Sequence, residues 1–199
     1  MKQETGMVVR RMAGVCLLVA MSALTGCLTS SVPDVSCWSL EYAGGNTTSR
    51  GSEPRFGVAR VTQVVVRAPY GVKGLAVLRA NGTVAFDPYN EYAALPAALM
   101  KGVVEDALAA SGLFSAVVGA TSAAGTSVHA EVTVSRLALD CRAEGSRRAV
   151  AELDVCIVEG RNIVARAKGA GDADAADGKY GAALSRAVSD ALAEAFNRL

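Results

Sequence analysis

Chemistry needs groups that titrate, coordinate or attack, and this chain carries few of them in usable spacing. His129 is the only histidine. That excludes multi-histidine metal centres and leaves little for general-base catalysis. It falls in the polar register of an alternating stretch with Glu131 and Thr133, where a strand presents side chains to water. Asp172, Asp174 and Asp177, followed by Gly178, have part of the order of a calcium loop, but the fifth position is Ala176 and the twelfth is Ala183. Two required ligands are missing, so a polar loop supplying a helix cap is expected. Gly169-Ala170-Gly171 lies between a strand and a helix as a dinucleotide fingerprint would, yet Asp174 occupies the third glycine position and its carboxylate would repel a pyrophosphate. There is no Gly-x-Ser-x-Gly elbow and no Gly-x-x-x-x-Gly-Lys-Ser/Thr loop. Trp38, Tyr70, Tyr89 and Tyr92 read either as core and hairpin packing or as an aromatic ligand set. The expectation is a protein that is not an enzyme, with no catalytic residue, no cofactor and no metal.

One cysteine has a clear chemical context. Residues 12 to 24 are an uncharged apolar run of thirteen, preceded by Lys2, Arg10 and Arg11. A membrane span needs about 20 apolar residues, so this run reads as the core of a signal peptide. Leu24-Thr25-Gly26-Cys27 follows it and resembles a bacterial lipobox, which implies cleavage before Cys27 and acylation of that residue. Dual acylation already gives stable anchoring, so the acyl chains suffice to hold the protein on a membrane. Leu28, rather than an aspartate, follows Cys27, and in enterobacteria-like sorting this favours the outer membrane. Removing residues 1–26 from 199 leaves 173, which suits a single domain. It also removes Lys2, Glu4, Arg10 and Arg11, so the formal net charge passes from +1 to about −1. No basic field remains to attract nucleic acid.

The expected organisation is a signal peptide at 1–26, an acylated tether at 27–36 and an envelope domain at 37–199. Three cysteines of that domain enter an oxidising compartment: Cys37, Cys141 and Cys156. Cys141 and Cys156 are predicted on neighbouring antiparallel strands whose turn lies near 143–147, which sets Cys156 opposite the region of Thr133. About eight strand residues then separate the two sulfurs, roughly 26 Å, far beyond disulfide reach. A bridge, where one forms, therefore includes Cys37, with Cys141 or Cys156 as its partner. Complete reduction is the alternative.

The elements that must position these residues are legible as changes of period. Cys37 to Tyr42 alternates with Trp38, Leu40 and Tyr42 on one side, a half-buried strand, and a Gly, Asn, Thr and Ser loop from Gly44 to Pro54 follows. Phe56 to Arg67 is β-branched in both registers, the mark of a strand buried on both faces or nearly so. Leu75–Arg79 and Thr83–Asp87 flank Asn81-Gly82, a pair suited to a type I′ turn. From Glu91 to Ser111 the period is helical, with Leu99, Met100, Val103, Val104, Ala107 and Leu108 on one arc and Gly112 as the stop. Leu113 to Val118 is extended. Val128 to Cys141 alternates but changes parity near Ser135-Arg136, which predicts a β-bulge. Arg148–Val158 and Arg161–Lys168 complete an antiparallel meander. After a flexible Gly169–Ala176 segment, Asp177 caps a terminal helix whose Tyr180, Leu184, Val188, Leu192 and Phe196 recur every four residues. The fold class predicted is α+β: one mixed or antiparallel β-sheet with two helices packed on it.

This pattern resembles the auxiliary lipoproteins of ABC-type transport systems, the PqiC/YmbA type. The resemblance rests on the lipobox, on Trp38-Ser39-Leu40-Glu41-Tyr42 in place of a Tyr-x-Leu strand, and on Val58 to Val66. It continues with the Asn81-Gly82 hairpin, with Tyr92-Ala93-x-x-Pro96 where the family has Trp-Ala-x-x-Pro, and with Ser111-Gly112-Leu113-Phe114 and Val117. Asn90-Glu91 lacks the arginine common before that tryptophan. The resemblance implies a lipoprotein that partners MCE-type lipid-binding proteins and their ABC transporter, moves lipids between envelope membranes and acts as a docking adaptor. A periplasmic lipid-binding carrier or chaperone is the alternative it leaves.

Overall fold

A computed structural model describes residues 34–45 and 53–199. The signal segment, Cys27, the tether up to residue 33 and the Asn46-Thr47-Thr48 sequon lie outside the described residues. From Val35 onward the chain forms one α+β unit. Its single mixed sheet has eight strands, β1 (Ser36–Trp38), β2 (Phe56–Val66), β3 (Gly74–Arg79), β4 (Val84–Tyr92), β5 (Phe114–Val117), β6 (Val128–Cys141), β7 (Arg148–Glu159) and β8 (Asn162–Asp174), and two helices pack on it, α1 (Pro96–Ala110) and α2 (Tyr180–Arg198).

The sheet forks at β6. One edge of β6 carries antiparallel β7 along nearly its whole length, and β7 carries β8. The other edge is shared. Its first half pairs in parallel with β2, which pairs with β5, whereas its last residues pair in parallel with β3, which leads through β4 to β1. Alternation decides which side chains meet the helices: Val128, Ala130, Val132 and Val134 on β6 and Ala149, Ala151, Leu153, Val155 and Ile157 on β7 are buried. The expected bulge is present between Val134 and Arg136. It returns Leu137 and Leu139 to the face that Val134 occupies, and both are buried. The helices supply matching stripes, Met100, Val103, Val104, Ala107 and Leu108 from α1 and Leu184, Val188, Leu192 and Phe196 from α2, which join the strands in one core.

Several expectations from the sequence need correction. The helix does not begin at Glu91: β4 continues to Tyr92, whose N–H donates to Lys73 O (2.7 Å). The helix starts only where Pro96 suits a first turn. Beyond Val61, β2 is not covered on both faces: its register shifts between Val61 and Gln63, Val64 and Val66 still pack against the core, and Val65 faces solvent. The hairpin turn is not type I′. Only Gly82 has a positive φ, +79°, while Gly82 N–H donates to Arg79 O and Arg79 N–H to Thr83 O, a three-residue loop of the kind that places glycine at the left-handed position. Cys156 stands opposite Glu131, not Thr133, since the ladder opens with Asp140 opposite Arg148 and the bulge displaces the register by one more.

The largest correction concerns Gly169–Ala176, which is strand, not a flexible segment, as far as Asp174. Its glycines are there for contact. A Cβ on Gly169 would overlap the Ala191 carbonyl and lie 2.9 Å from Ala195 N, and one on Gly171 would lie 2.6 Å from Ala191 N. The absence of side chains lets α2 settle directly on β8. The same helix covers the free edge of β8: Glu194 accepts from Ala170 N–H (2.6 Å), and Arg198, which is ion-paired to Glu194, donates to Lys168 O (3.0 Å). The two side chains satisfy an edge donor and an edge acceptor, which blunts the edge against pairing with another chain.

Candidate functional site

Past Trp38 the chain leaves the sheet, so the expected strand to Tyr42 is only three residues long. It continues as a strap along α2, held by small residues spaced four apart on one helix stripe. The Trp38 ring lies against Gly181, where a Cβ would come within 2.7 Å of its ring carbon. The Glu41 N–H donates to Ser185 Oγ (3.1 Å) and the Ala43 N–H to Ser189 Oγ (2.9 Å). Gly45 then lies on Ala193, a Cβ there reaching 2.7 Å from the Ala193 methyl. The serines are buried, and their hydroxyls satisfy strap amides that no strand partner serves. Trp38 is fixed from its other side as well, its Nε1–H donating to Asn90 Oδ1 (2.9 Å).

Between strap, end of β8 and start of α2 runs an open groove of about 760 Å³, lined by Trp38, Glu41, Tyr42, Asp174, Asp177, Lys179 and Arg186 among others. Sequence reasoning singled out Trp38, Asp174 and Asp177 separately, and the structure brings them to this groove. It does not make them a metal site: no group of three ligating side chains suited to a metal occurs among the described residues. Asp174 Oδ1 accepts from Ala176 N–H (3.1 Å), Asp177 Oδ1 from Lys179 N–H (3.0 Å), and Asp172 pairs with Arg148 on the neighbouring strand. The backbone bond from Lys179 holds the Asp177 carboxyl below its ordinary range. Asp177 is not the helix cap expected of it, because the cap position is Lys179 and its side chain makes no capping bond. Gly181, Ser185 and Ser189 are strap-holding positions with no place in the sequence reading, although their spacing of four beside the apolar stripe of an amphipathic helix was the available signal.

The other candidates are scattered. His129 is half-buried rather than solvated, beside Arg60 on β2 and Val158 on β7, and its Nδ1 is sealed from water with no partner. Arg60 turns away from it to donate to the carbonyls of Ser122 (2.8 Å) and Ala124 (3.0 Å). Cys37, Cys141 and Cys156 are free thiols. Cys37 donates to Glu91 Oε1 at 3.6 Å. Burial raises the thiol pKa of both Cys141 and Cys156, against the opposing effects of Arg147 and Arg166 respectively, so neither is an activated thiolate. Tyr70 is half-buried, Tyr89 is exposed, and Tyr92 is buried with its hydroxyl unpartnered. Burial drives that phenol's pKa far above its usual value, so it stays neutral. The thiol that meets a carboxylate, Cys37 on Glu91, is exposed and does not line the groove.

The short motifs do have structural work. Tyr92 pairs with Trp38 across β1 and β4, Ala93 N–H donates to Trp38 O (2.8 Å), and Pro96 opens α1, so Tyr92-Ala93-x-x-Pro96 joins strap, sheet and helix. At the far end of α1, Gly112 adopts φ +68°, Ser111 Oγ accepts from Leu113 N–H, and Phe114 stacks on Phe56 with ring centroids 5.3 Å apart.

The sequence matches no protein-family model and no curated protein. Its fold is similar to solved structures. Protein XCC0632 from Xanthomonas campestris, of the DUF330 family model, superposes with a TM-score of 0.58 at 14% identity, over 82% of this chain and 90% of that one. An uncharacterized protein gives 0.52 at 12% identity over 81% and 92%. The PelC dodecamer from Paraburkholderia phytofirmans gives 0.39 at 13% identity over 74% and 94%. No helix among the described residues is long and apolar enough to cross a membrane.

Proposed function

We propose that this chain is a membrane-anchored, non-enzymatic lipoprotein of an ABC/MCE-type envelope transport system, in which it acts as a docking adaptor at the outer membrane, with MCE-type lipid-binding protein and ABC transporter components as its partners. The observation that carries the reading is positional: a domain with the fold of the DUF330 protein begins at Val35, eight residues after the cysteine of a lipobox. Two features of the domain support an adaptor over a chemical role. Its thiols, histidine and carboxylates are dispersed or already engaged, and the strap groove is open and bordered by Glu41, Asp174, Asp177, Lys179 and Arg186. A carrier would instead enclose an apolar cavity. Intact mass and labelled palmitate incorporation test the anchor, and a Cys27→Ala chain that incorporates label equally overturns it. Native mass spectrometry of the delipidated protein tests the adaptor: retained phospholipid favours the carrier.

A further inference from the structure

On the branch of the sheet that receives the tether, large apolar side chains stand together in water. Val35 is 49% exposed, Phe86 46% and Tyr89 50%, the last two on β4 and the first one residue before β1. Register places them together. Ser36 pairs with Asn90 and Cys37 with Glu91 in the parallel β1–β4 ladder, so Val35 enters beside Tyr89. Parity then fixes the face. Trp38 and Tyr92 face the helices, since Trp38 lies on Gly181 of α2 and Tyr92 is in the core. Residues one step away, Cys37 and Glu91, meet on the opposite face, and Val35 and Tyr89 share that parity. Phe86 pairs with Ala76, which packs with Leu78 and Ala138 on that helix-free side, and its ring extends over Gly74, where a Cβ would touch it at 3.4 Å.

We propose that this patch of Val35, Phe86 and Tyr89 rests against a lipid headgroup surface, the surface to which the acyl chains on Cys27 fix the protein; the inference rests on that anchor reading. Three arguments select a membrane over another occupant. Cys27 to Val35 is eight residues, at most about 29 Å of chain in any conformation, and the chain joins the domain at the patch itself. The side chains suit the headgroup boundary, where aromatic rings with a polar tip settle. The carboxylates within the patch are turned to local donors, Asp87 Oδ1 accepting from Tyr89 N–H (2.8 Å) and Glu91 Oε1 from the Cys37 thiol. No cation adjoins them in the β1–β4 ladder, so the patch matches zwitterionic rather than anionic lipid.

The experiment compares two positions on the acylated protein. Ile163, 60% exposed, pairs with Val158, which pairs with His129. It lies at the other end of β6 from Leu139, where the branch attaches, ten residues and roughly 33 Å away. In a Cys37→Ser, Cys141→Ala, Cys156→Ser background, an environment-sensitive dye is placed on Tyr89→Cys, on Phe86→Cys or on Ile163→Cys. Each protein is reconstituted in phosphatidylcholine vesicles with brominated acyl chains. Circular dichroism of each variant identifies those that fold, and the two patch positions stand in for each other. The expected result is several-fold stronger quenching at 89 and 86 than at 163, as for a group sunk about 5 to 10 Å into the headgroup boundary. Equal quenching at all positions, or none at 89 and 86 in protein whose acylation is verified by intact mass, overturns the patch while leaving the anchor intact. Absence of the acyl mass overturns the anchor. A blue shift at 89 that grows with protein concentration without vesicles assigns the patch to a contact between copies instead, and also overturns it.

Discussion

The two sides of β6 are built on different terms. On the meander side, β7 and β8 are long, their inner faces alternate against α2 from Arg148 to Ile157, the register shifts only at the far turn where Ile163 and Val164 stand in water, and the edge of β8 at Lys168 and Ala170 is capped by Arg198 and Glu194. On the branch side, β1 has three residues, the β3–β4 register slips between Gly74 and Ala76, and Phe86 and Tyr89 are left in water. The difference separates two tasks. The meander is a scaffold whose edge is blunted beside α2 and whose exposed Ile163 and Val164 lie at a turn, whereas the branch gathers Val35, Phe86 and Tyr89 beside the incoming tether, the kind of contiguous apolar surface that marks a contact site.

The sharpest way to break the comparison is to make one substitution on both sides. Gly169→Ala forces a methyl onto the Ala191 carbonyl between backbone atoms that cannot move without lifting α2 from β8. We expect a loss of about 3 kcal/mol, the upper range for overpacking. Gly74→Ala meets only the Phe86 side chain at ordinary contact distance, 3.4 Å, and should change stability by less than about 0.5 kcal/mol, as surface substitutions do. Urea unfolding of both variants checks this. Similar losses would show that the branch is packed as tightly as the meander.

Next in size is the strap that joins the two sides. Ser185→Ala with Ser189→Ala leaves the Glu41 and Ala43 amides without acceptors, at about 1 to 3 kcal/mol for each donor left unsatisfied. The effect should be local: hydrogen exchange at Glu41 and Ala43 accelerates while amides of β6 and β7 keep their protection. Uniform acceleration would mean that the strap is part of the global folding unit.

These contacts also explain what the sequence did and did not disclose. The meander was legible because burial on one face prints a period of two, and even the bulge at Ser135 appears as a change of parity. The role of Gly169 and Gly171 was not. Glycine in a loop and glycine under a helix are the same letters, and only the partner surface, Ala187, Ala191 and Ala195, tells them apart. The strap was misread as a longer strand because Trp38, Leu40 and Tyr42 alternate whether the backbone pairs with a strand or with serine hydroxyls. In the same way the aspartates at 172, 174 and 177 suggested a loop with a cap. Asp172 in fact belongs to a cross-strand pair, a non-local fact with no local sign.

A smaller effect tests the solvent face of the meander. Arg166 donates to Asp154 through Nε (3.0 Å) and Nη2 (2.7 Å), and that bond holds the Asp154 carboxyl below its ordinary value against the opposing effect of burial. A depressed folded pKa contributes stability above the unfolded value near pH 4 and loses it as pH falls through the folded one. Asp154→Asn should therefore cost under about 1 kcal/mol at neutral pH, because Arg166 is largely in solvent. The gap from wild type should close on acidification. A gap that widens in acid would reverse the assigned sign.

The smallest expected effect is at the one residue whose chemistry most invites a catalytic reading. His129 presents a sealed Nδ1 with no hydrogen-bond partner, an arrangement that contributes no stability and offers no route for a proton through that atom. Its neighbours do not organise it: Arg60 is committed to the Ser122 and Ala124 carbonyls, and Val158 is apolar. Replacing the ring by a methyl removes an unsatisfied polar atom, a gain that offsets the packing lost on a half-buried face. His129→Ala should consequently fall within about 1 kcal/mol of wild type and complement an envelope defect fully at equal protein abundance. If the variant is present at normal levels on the membrane and the defect persists, position and contact are not sufficient, and the imidazole has a chemical role that the adaptor reading denies it.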